Sequence, residues 1–168
     1  IEDVTIEDVT SVFHDEMFNW VDVRDYGAIG DGVSDDRAAF EAADTAANGK
    51  TVIVSPGSYY IGSHLTFDNP VKFEGVITMP DAMRLACTRN YDLDTYAAAF
   101  GSELTGFKKA LQALFYFTDH NMLDLGGRRI ELTEPLDIAA LVGLSSFTQR
   151  RVMSNGTLVA LASAAWGL

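Results

Sequence analysis

The stretch Asp25–Ala43, DYGAIGDGVSDDRAAFEAA, sets three glycines and four aspartates in and ahead of a helical run. Residues of these types could gather a metal ion, cradle a phosphate or start a fold. Asp31, Asp35 and Asp36 stand close together and make calcium the first chemistry to weigh. A calcium loop between two helices takes alternating oxygen donors from its first position and a glutamate at its twelfth, and that pattern is absent. Phosphate fits less well. A dinucleotide loop leaves a strand as G-x-G-x-x-G, whereas Gly27, Gly30 and Gly32 fall as G-x-x-G-x-G. Asn48-Gly49-Lys50-Thr51 has the ending of a P-loop, but the required glycine five positions before Gly49 is Asp44, and the run follows a helix. Structural work accounts for the same residues. Ser34 or Asp35 can accept hydrogen bonds from free amides where the helix begins, carboxylates there suit its dipole, and the glycines suit turns of positive φ. Neither a metal nor a cofactor is expected.

The rest of the chain offers little catalytic machinery. His14, His64 and His120 have no ligand spacing, no Ser or Cys sits in a nucleophile elbow, and no carboxylate pair stands out. His120, beside Asp119, reads as a helix-end residue facing the negative pole of the dipole. Tyr91-Asp92-Leu93-Asp94 reads as a solvated loop. Two aromatics are candidates for stacking against a sugar: Tyr60, which faces outward if Tyr59 and Ile61 face inward, and Trp166.

The elements that must position these residues are short. A helix is expected over His14–Trp20 and a strand over Trp20–Val23. Ala38, Ala39, Phe40, Ala42, Ala43 and Ala46 make a helix that stops at Asn48-Gly49. Strands follow at Thr51–Val54, Tyr59–Ile61, His64–Phe67 and Val71–Thr78, broken by Pro56-Gly57 and Asn69-Pro70. Residues 81–96 show no periodicity and read as a loop. A helix over Leu104–Thr118 then leads to strands at Met122–Leu125, Arg129–Leu132 and Leu136–Ile138, and Asn155–Leu161 reads as one more.

The second half repeats the first. A shift of 71 positions carries Val52 onto Leu123, Val54 onto Leu125, Tyr59 onto Ile130, Ile61 onto Leu132, Leu65 onto Leu136, Phe67 onto Ile138, Phe40 onto Leu111 and Ala43 onto Leu114. Gly75-Val76-Ile77 matches Gly156-Thr157-Leu158 at a shift of 81, which implies a ten-residue insertion near Ala139–Arg151. Two copies of one unit, built from short apolar strands in series, point to coils of a parallel β-solenoid. An α+β domain with two similar hairpins is the alternative. The doubled IEDVT at Ile1–Thr10 is too short a repeat to add to this.

The chain has 168 residues, 48% apolar and 21% charged, which is enough for one folded domain with a core. A net charge of -12 and a pI near 4.4 exclude nucleic acid and anionic membrane surfaces as partners. Cys87 is the lone cysteine, so no internal disulfide forms. No apolar run is long enough to insert into a bilayer. The chain opens on Ile1 and no secretory signal is visible. Both ends read as places where a longer protein was cut.

The run V-x-D-Y-G-A-I-G-D-G-V-S-D-D-R-A-A-F-E-A-A, then G-K-T-V-I-V-S-P-G-S-Y-Y-I, closely resembles the opening segment of the pectate-lyase-like, right-handed parallel β-helix superfamily. The usual form there is D-[FY]-G-A-x-G-D-G-x-x-D-D, an alanine-rich helix, and a G-x-V-x-x-P-x-G-x-Y strand pair. The likeness covers Val21 to Ile77. The second unit, Leu104–Leu161, matches only the helix and strand parts. The resemblance implies a right-handed parallel β-helix with short capping helices, in which the opening stretch caps the first coil. It implies an N-terminal attachment segment over 1–20, cap and first coils over 21–80, a connecting loop over 81–103, and a continuing unit over 104–168.

That superfamily includes polygalacturonases, pectate lyases, epimerases and bacteriophage tailspikes. Their catalytic carboxylates or calcium-held sites lie on middle coils, past the segment matched here, so no catalytic residue carries over. The polygalacturonase-like N-T-D, D-D and G-H-G elements do not occur in order, and Asp35-Asp36 belongs to the cap. The expected function is the N-terminal portion of a virion spike. It would form a homotrimer on the surface of a phage-like particle, dock on other virion structural proteins, and bind or cut host surface polysaccharide. The alternative is the front of a secreted pectate-lyase- or polygalacturonase-like enzyme, and a third reading is a structural adaptor.

Overall fold

The computed structural model describes residues 19–116, 120–147 and 149–160. The IEDVT repeat, the expected helix up to Phe18, and Trp166 lie outside them. The first unit holds strands β1 (Trp20–Asp22), β2 (Asp31–Asp35), β3 (Thr51–Val54), β4 (Ser58–Tyr60), β5 (Leu65–Phe67), β6 (Val71–Phe73) and β7 (Val76–Thr78). A 3-10 turn, Val23–Tyr26, follows β1, and helix α1 (Arg37–Ala47) precedes β3. Then come β8 (Leu85–Cys87), α2 (Leu93–Phe100) and α3 (Glu103–Tyr116). The second unit adds β9 (Met122–Asp124), β10 (Arg129–Leu132), α4 (Ile138–Val142), β11 (Val152–Ser154) and β12 (Thr157–Ala160).

Each of these strands pairs in parallel with one a single pass away. The ladders run β1-β3-β6, β2-β4-β7, β5-β8, β9-β11 and β10-β12. Because side chains alternate across a strand, this pairing stacks like on like. Val21 lies beside Val52 and Val52 beside Val71, and all three are buried, while Lys72 and Thr66 point outward. The fold is therefore β-dominated, with short strands and short helices; the ladders stay open and do not close into a barrel.

Helix α1 covers the first unit with a stripe at helical spacing: Asp36, Ala39, Phe40, Ala43, Asp44 and Ala47 are buried. The Phe40 ring meets Tyr59 edge-on at 5.3 Å and Phe67 at 6.2 Å. Asn48, at φ 45°, ends the helix in the left-handed conformation. The expectations for α1, β3, β4, β5, α3 and β10 agree with these elements to within one or two residues.

Three expectations are corrected. The single strand expected over Val71–Thr78 breaks at Glu74-Gly75 into β6 and β7, which join different ladders. Residues 81–96, read as a loop, contain β8 and the start of α2. All three residues of β8 are buried, because α3 packs over its other face, so the strand has no alternation to detect. In α2, the Asp92 carboxylate accepts the Thr95 amide at 2.8 Å, the N-cap bond that starts the helix. The strand expected at Leu136–Ile138 is absent. Asp137 accepts the Ala140 amide at 3.0 Å and starts α4 there. The internal repeat is otherwise visible in the pairing. The β3–β6 and β4–β7 pairs recur, at the expected shifts, as β9–β11 and β10–β12. Gly75 and Gly156 share one constraint: a Cβ would lie 2.4 Å from the Ser55 carbonyl oxygen at the first and 2.5 Å from Leu125 Cβ at the second.

Candidate functional site

The aspartates of the opening stretch are occupied by backbone. Asp36 is buried and its two oxygens accept the amides of Ile29 at 2.6 Å and Gly30 at 3.1 Å. Asp31 accepts the Val33 and Ser34 amides, both at 2.8 Å, and the Ser34 hydroxyl at 2.9 Å. Those bonds, the Ser34 amide foremost, hold its carboxyl below the usual range. Asp35 accepts the amides of Arg37 and Gly62, each at 3.1 Å. Of the two proposed helix-start acceptors Asp35 therefore acts, while the Ser34 hydroxyl serves Asp31. Gly30 has φ +71°, and a Cβ there would come 2.9 Å from the Tyr59 ring. Arg24 clips the same corner shut, donating to the Tyr59 hydroxyl at 3.0 Å and the Pro56 carbonyl at 2.8 Å. The stretch starts the fold. Among the described residues no group of three or more His, Cys, Asp or Glu side chains could hold a metal ion. The Gly49 amide, in the P-loop-like run, is taken by Asn69 Oδ1 at 2.6 Å.

Tyr60 is half-buried on β4, while its neighbours Tyr59 and Ile61 are buried. It pairs with Asp35 on one side and Thr78 on the other, so a carboxylate, a phenol and a hydroxyl line up across three strands on the outward face. Gly62 keeps this row open. A Cβ there would lie 2.6 Å from Asp35 Oδ2 and 3.4 Å from Tyr60 Cε1. Trp166, the second stacking candidate, lies outside the described residues.

Sequence reasoning missed a cationic corner. Arg37 Nε donates to the His64 carbonyl at 3.0 Å and pairs with Glu41 at 2.6 Å. The Arg84 amide donates to His64 Nδ1 at 3.1 Å, and the Arg84 guanidinium lies 3.4 Å from the centre of the Tyr116 ring. Burial, then Arg84, Arg37 and Lys109, keeps His64 below the ordinary histidine value. Nothing in the sequence announces this grouping, since its members come from α1, the turn before β5, the residue before β8 and the end of α3.

The buried titratable groups are structural. Lys109 donates to the carbonyls of Pro80, Asp81 and Met83 at 2.9, 3.1 and 2.6 Å. Burial lowers its ammonium to about 8, against the pull of Asp81. Burial raises the Cys87 thiol and the Tyr91 and Tyr96 phenols, so all three stay protonated at neutral pH. His120 departs from its expected helix-end role. Its Nε2 lies 2.9 Å from the Thr88 carbonyl and its ring stacks on Tyr91 at 5.3 Å.

Residues 20–95 match the family described as rhamnogalacturonase A/epimerase, pectate lyase-like. Over 44 residues, 24% of this chain, the sequence is 52% identical to a mannuronan C5-epimerase of Azotobacter vinelandii. That stretch spans 5% of the relative's length. No solved structure gives a significant match. These two matches support a pectate-lyase-like superfamily.

Proposed function

We propose that this chain is the opening portion of a right-handed parallel β-helix protein that acts on polysaccharide, with the Tyr60 row as a sugar-contacting surface. The observation that carries the reading is the match of residues 20–95 to a pectate-lyase-like family, on the same segment whose strands pair in parallel one pass apart. A tyrosine face flanked by a carboxylate and a hydroxyl suits a sugar, which offers C–H groups to the ring and hydroxyls to the polar pair. The β-helix is supported by the inward rows Val21-Val52-Val71 and Tyr59-Ile77. The finer placement is on a phage-like particle, as a homotrimer docked through residues 1–20 and directed at host surface polysaccharide. The trimer comes from the resemblance, and the particle placement rests on the lone cysteine, the segment before Val21 and the second helix-bearing unit. The front of a free lyase or hydrolase has equal standing, since the matched family and relative are named for a rhamnogalacturonase and for epimerases.

Two measurements test this. Affinity electrophoresis of the protein through gels containing acidic or neutral polysaccharide is expected to show retardation by at least one, and free migration through all of them sinks the reading. Native mass spectrometry of the intact assembly is expected to give three chains together with particle proteins. A free monomer removes the spike placement and leaves the enzyme.

A further inference from the structure

The ten-residue insertion in the second unit does more than lengthen a turn. Leu144, Ser146, Phe147, Gln149 and Arg151 fold back against Phe115 and Tyr116 at the end of α3 and enclose an open cleft of about 330 Å³. That volume lies at the lower end of the range for small-ligand sites, about 300–1,000 Å³. Two aromatic side chains are partly exposed there, Tyr116 at 40% and Phe147 at 49%. Phe147 is braced by Phe115, with ring centres 5.1 Å apart. Arg151 is fixed at the wall, donating to the His120 carbonyl at 2.9 Å and to Gln149 Oε1 at 2.5 Å. A second guanidinium, that of Arg84, lies on the Tyr116 ring. In a chain with 12 Lys and Arg against 24 Asp and Glu, Arg151 sets a cation in the wall of an aromatic cleft.

The repeat shows that this cleft is a departure from the basic unit. The positions equivalent to Phe115 and Tyr116, at the shift of 71, are Asp44 and Thr45. Asp44 ties the turn below it tightly, accepting the Asp68 and Asn69 amides at 2.9 and 3.1 Å. In the second unit that tether is replaced by a phenylalanine, the turn is lengthened, and an aromatic, arginine-bearing cavity opens. Insertions in repeat proteins map to one face, often the binding face.

We propose that this cleft is a second carbohydrate site, one that binds an acidic oligosaccharide, with Tyr116 and Phe147 against the sugar faces and Arg151 facing a carboxylate. The proposal rests on the polysaccharide reading above but assigns different residues. Planar guanidinium groups match carboxylates in two-bonded geometry, and aromatic faces accept the apolar side of a sugar ring. Ser146 and Gln149 line the same wall and supply polar groups for hydroxyls.

The test is calorimetric titration of the full protein with trigalacturonate and with its fully methyl-esterified form. Wild type is expected to bind the acid at least about tenfold more tightly than the ester, the size of one charge-assisted contact. Phe147→Ala removes an exposed ring, and is expected to weaken acid binding by about tenfold with an unchanged circular-dichroism spectrum. Arg151→Lys keeps the charge and loses the fork, and Arg151→Gln loses both; affinity should fall in that order. Equal binding of acid and ester overturns the proposal, as does unchanged affinity in Phe147→Ala. If affinity instead falls in Tyr60→Ala and holds in Phe147→Ala, the sugar sits on the Tyr60 row and only this second site is lost. If wild type binds neither these oligosaccharides nor any polysaccharide in the gel assay, both readings fail.

Discussion

At one corner of the repeated unit the two copies have solved the same packing problem differently. In the first, Asp44 is buried and its carboxylate gathers two backbone amides and the Asn69 side chain, whose oxygen in turn holds the Gly49 amide. In the second, the equivalent Phe115 meets Phe147 from an inserted loop. The first corner is lined by Asp44, Thr45, Asn48, Asp68, Asn69 and Arg89, and the second by aromatic rings, amide and arginine. The β3–β6 and β4–β7 pairs recur beneath as β9–β11 and β10–β12, while β5 has no counterpart, which separates what the repeated unit needs from what can vary. The inward row and the glycine turn are needed; the corner is free to change once something else fixes the loop. A second contrast lies nearly two turns earlier on the helices. The exposed Ala38 of α1 corresponds to Lys109 of α3, which is buried and clamps the segment before β8.

The largest effects should come where the copies agree. Gly75→Ala is expected to destabilise the protein by about 3 kcal/mol, because the added Cβ would press on the Ser55 carbonyl and cannot be relieved by a rotamer change. Gly156→Ala should cost a similar amount, since the nearest atom there is Leu125 Cβ, which no rotamer change moves, with the Arg128 carbonyl oxygen at 2.9 Å. Chemical denaturation of both variants checks this, and a loss at one site without the other would break the equivalence of the turns. At the corner, Asp44→Ala strands two amides and should cost about 2 kcal/mol by the same measurement. Phe115→Ala, at a half-buried ring, should cost nearer 1 kcal/mol and instead weaken oligosaccharide binding. The smallest effect is a pH dependence. Up to about pH 8 the Lys109 ammonium is charged in folded and unfolded chains alike. Between about 8 and the ordinary lysine value near 10.4, the folded chain has released the proton and the unfolded chain keeps it. Stability measured against Lys109→Met should therefore rise with pH through that window. A flat difference would mean that the three carbonyls hold the charge as well as water does.

How much of this was legible follows from which forces act locally. Short strands with one buried face, as in Leu65-Thr66-Phe67, show their alternation in the sequence, and Asn48-Gly49 shows its turn. The repeat was legible because equivalent inward positions must stay apolar. Leu85-Ala86-Cys87 was not, since α3 buries the face that would otherwise be polar. Leu136-Asp137-Ile138 misled in the other direction. The repeat implied a strand, but an aspartate able to cap and the helix-favouring Ile-Ala-Ala-Leu-Val that follows decided for α4. Tyr60 could be placed outward from its neighbours alone. The stacking of Arg84 on Tyr116 could not be foreseen, because it joins residues 32 positions apart through packing that no local pattern encodes.

The spacing of the ladders also bears on how such a chain reaches its fold. Parallel sheets are slow to form when their strands lie far apart in sequence, because a long loop must close before any pairing rewards it. Here Val52 meets Val71, Ser58 meets Val76 and Leu65 meets Leu85, each closure spanning about twenty residues. The entropic cost of adding a pass is thus nearly the same each time, and each finished pass is a template for the next. Within the first unit the ladders can grow pass by pass, whereas among the described residues no ladder joins β1–β8 to β9–β12. A lesion in one turn would then halt growth beyond it and leave the earlier passes intact.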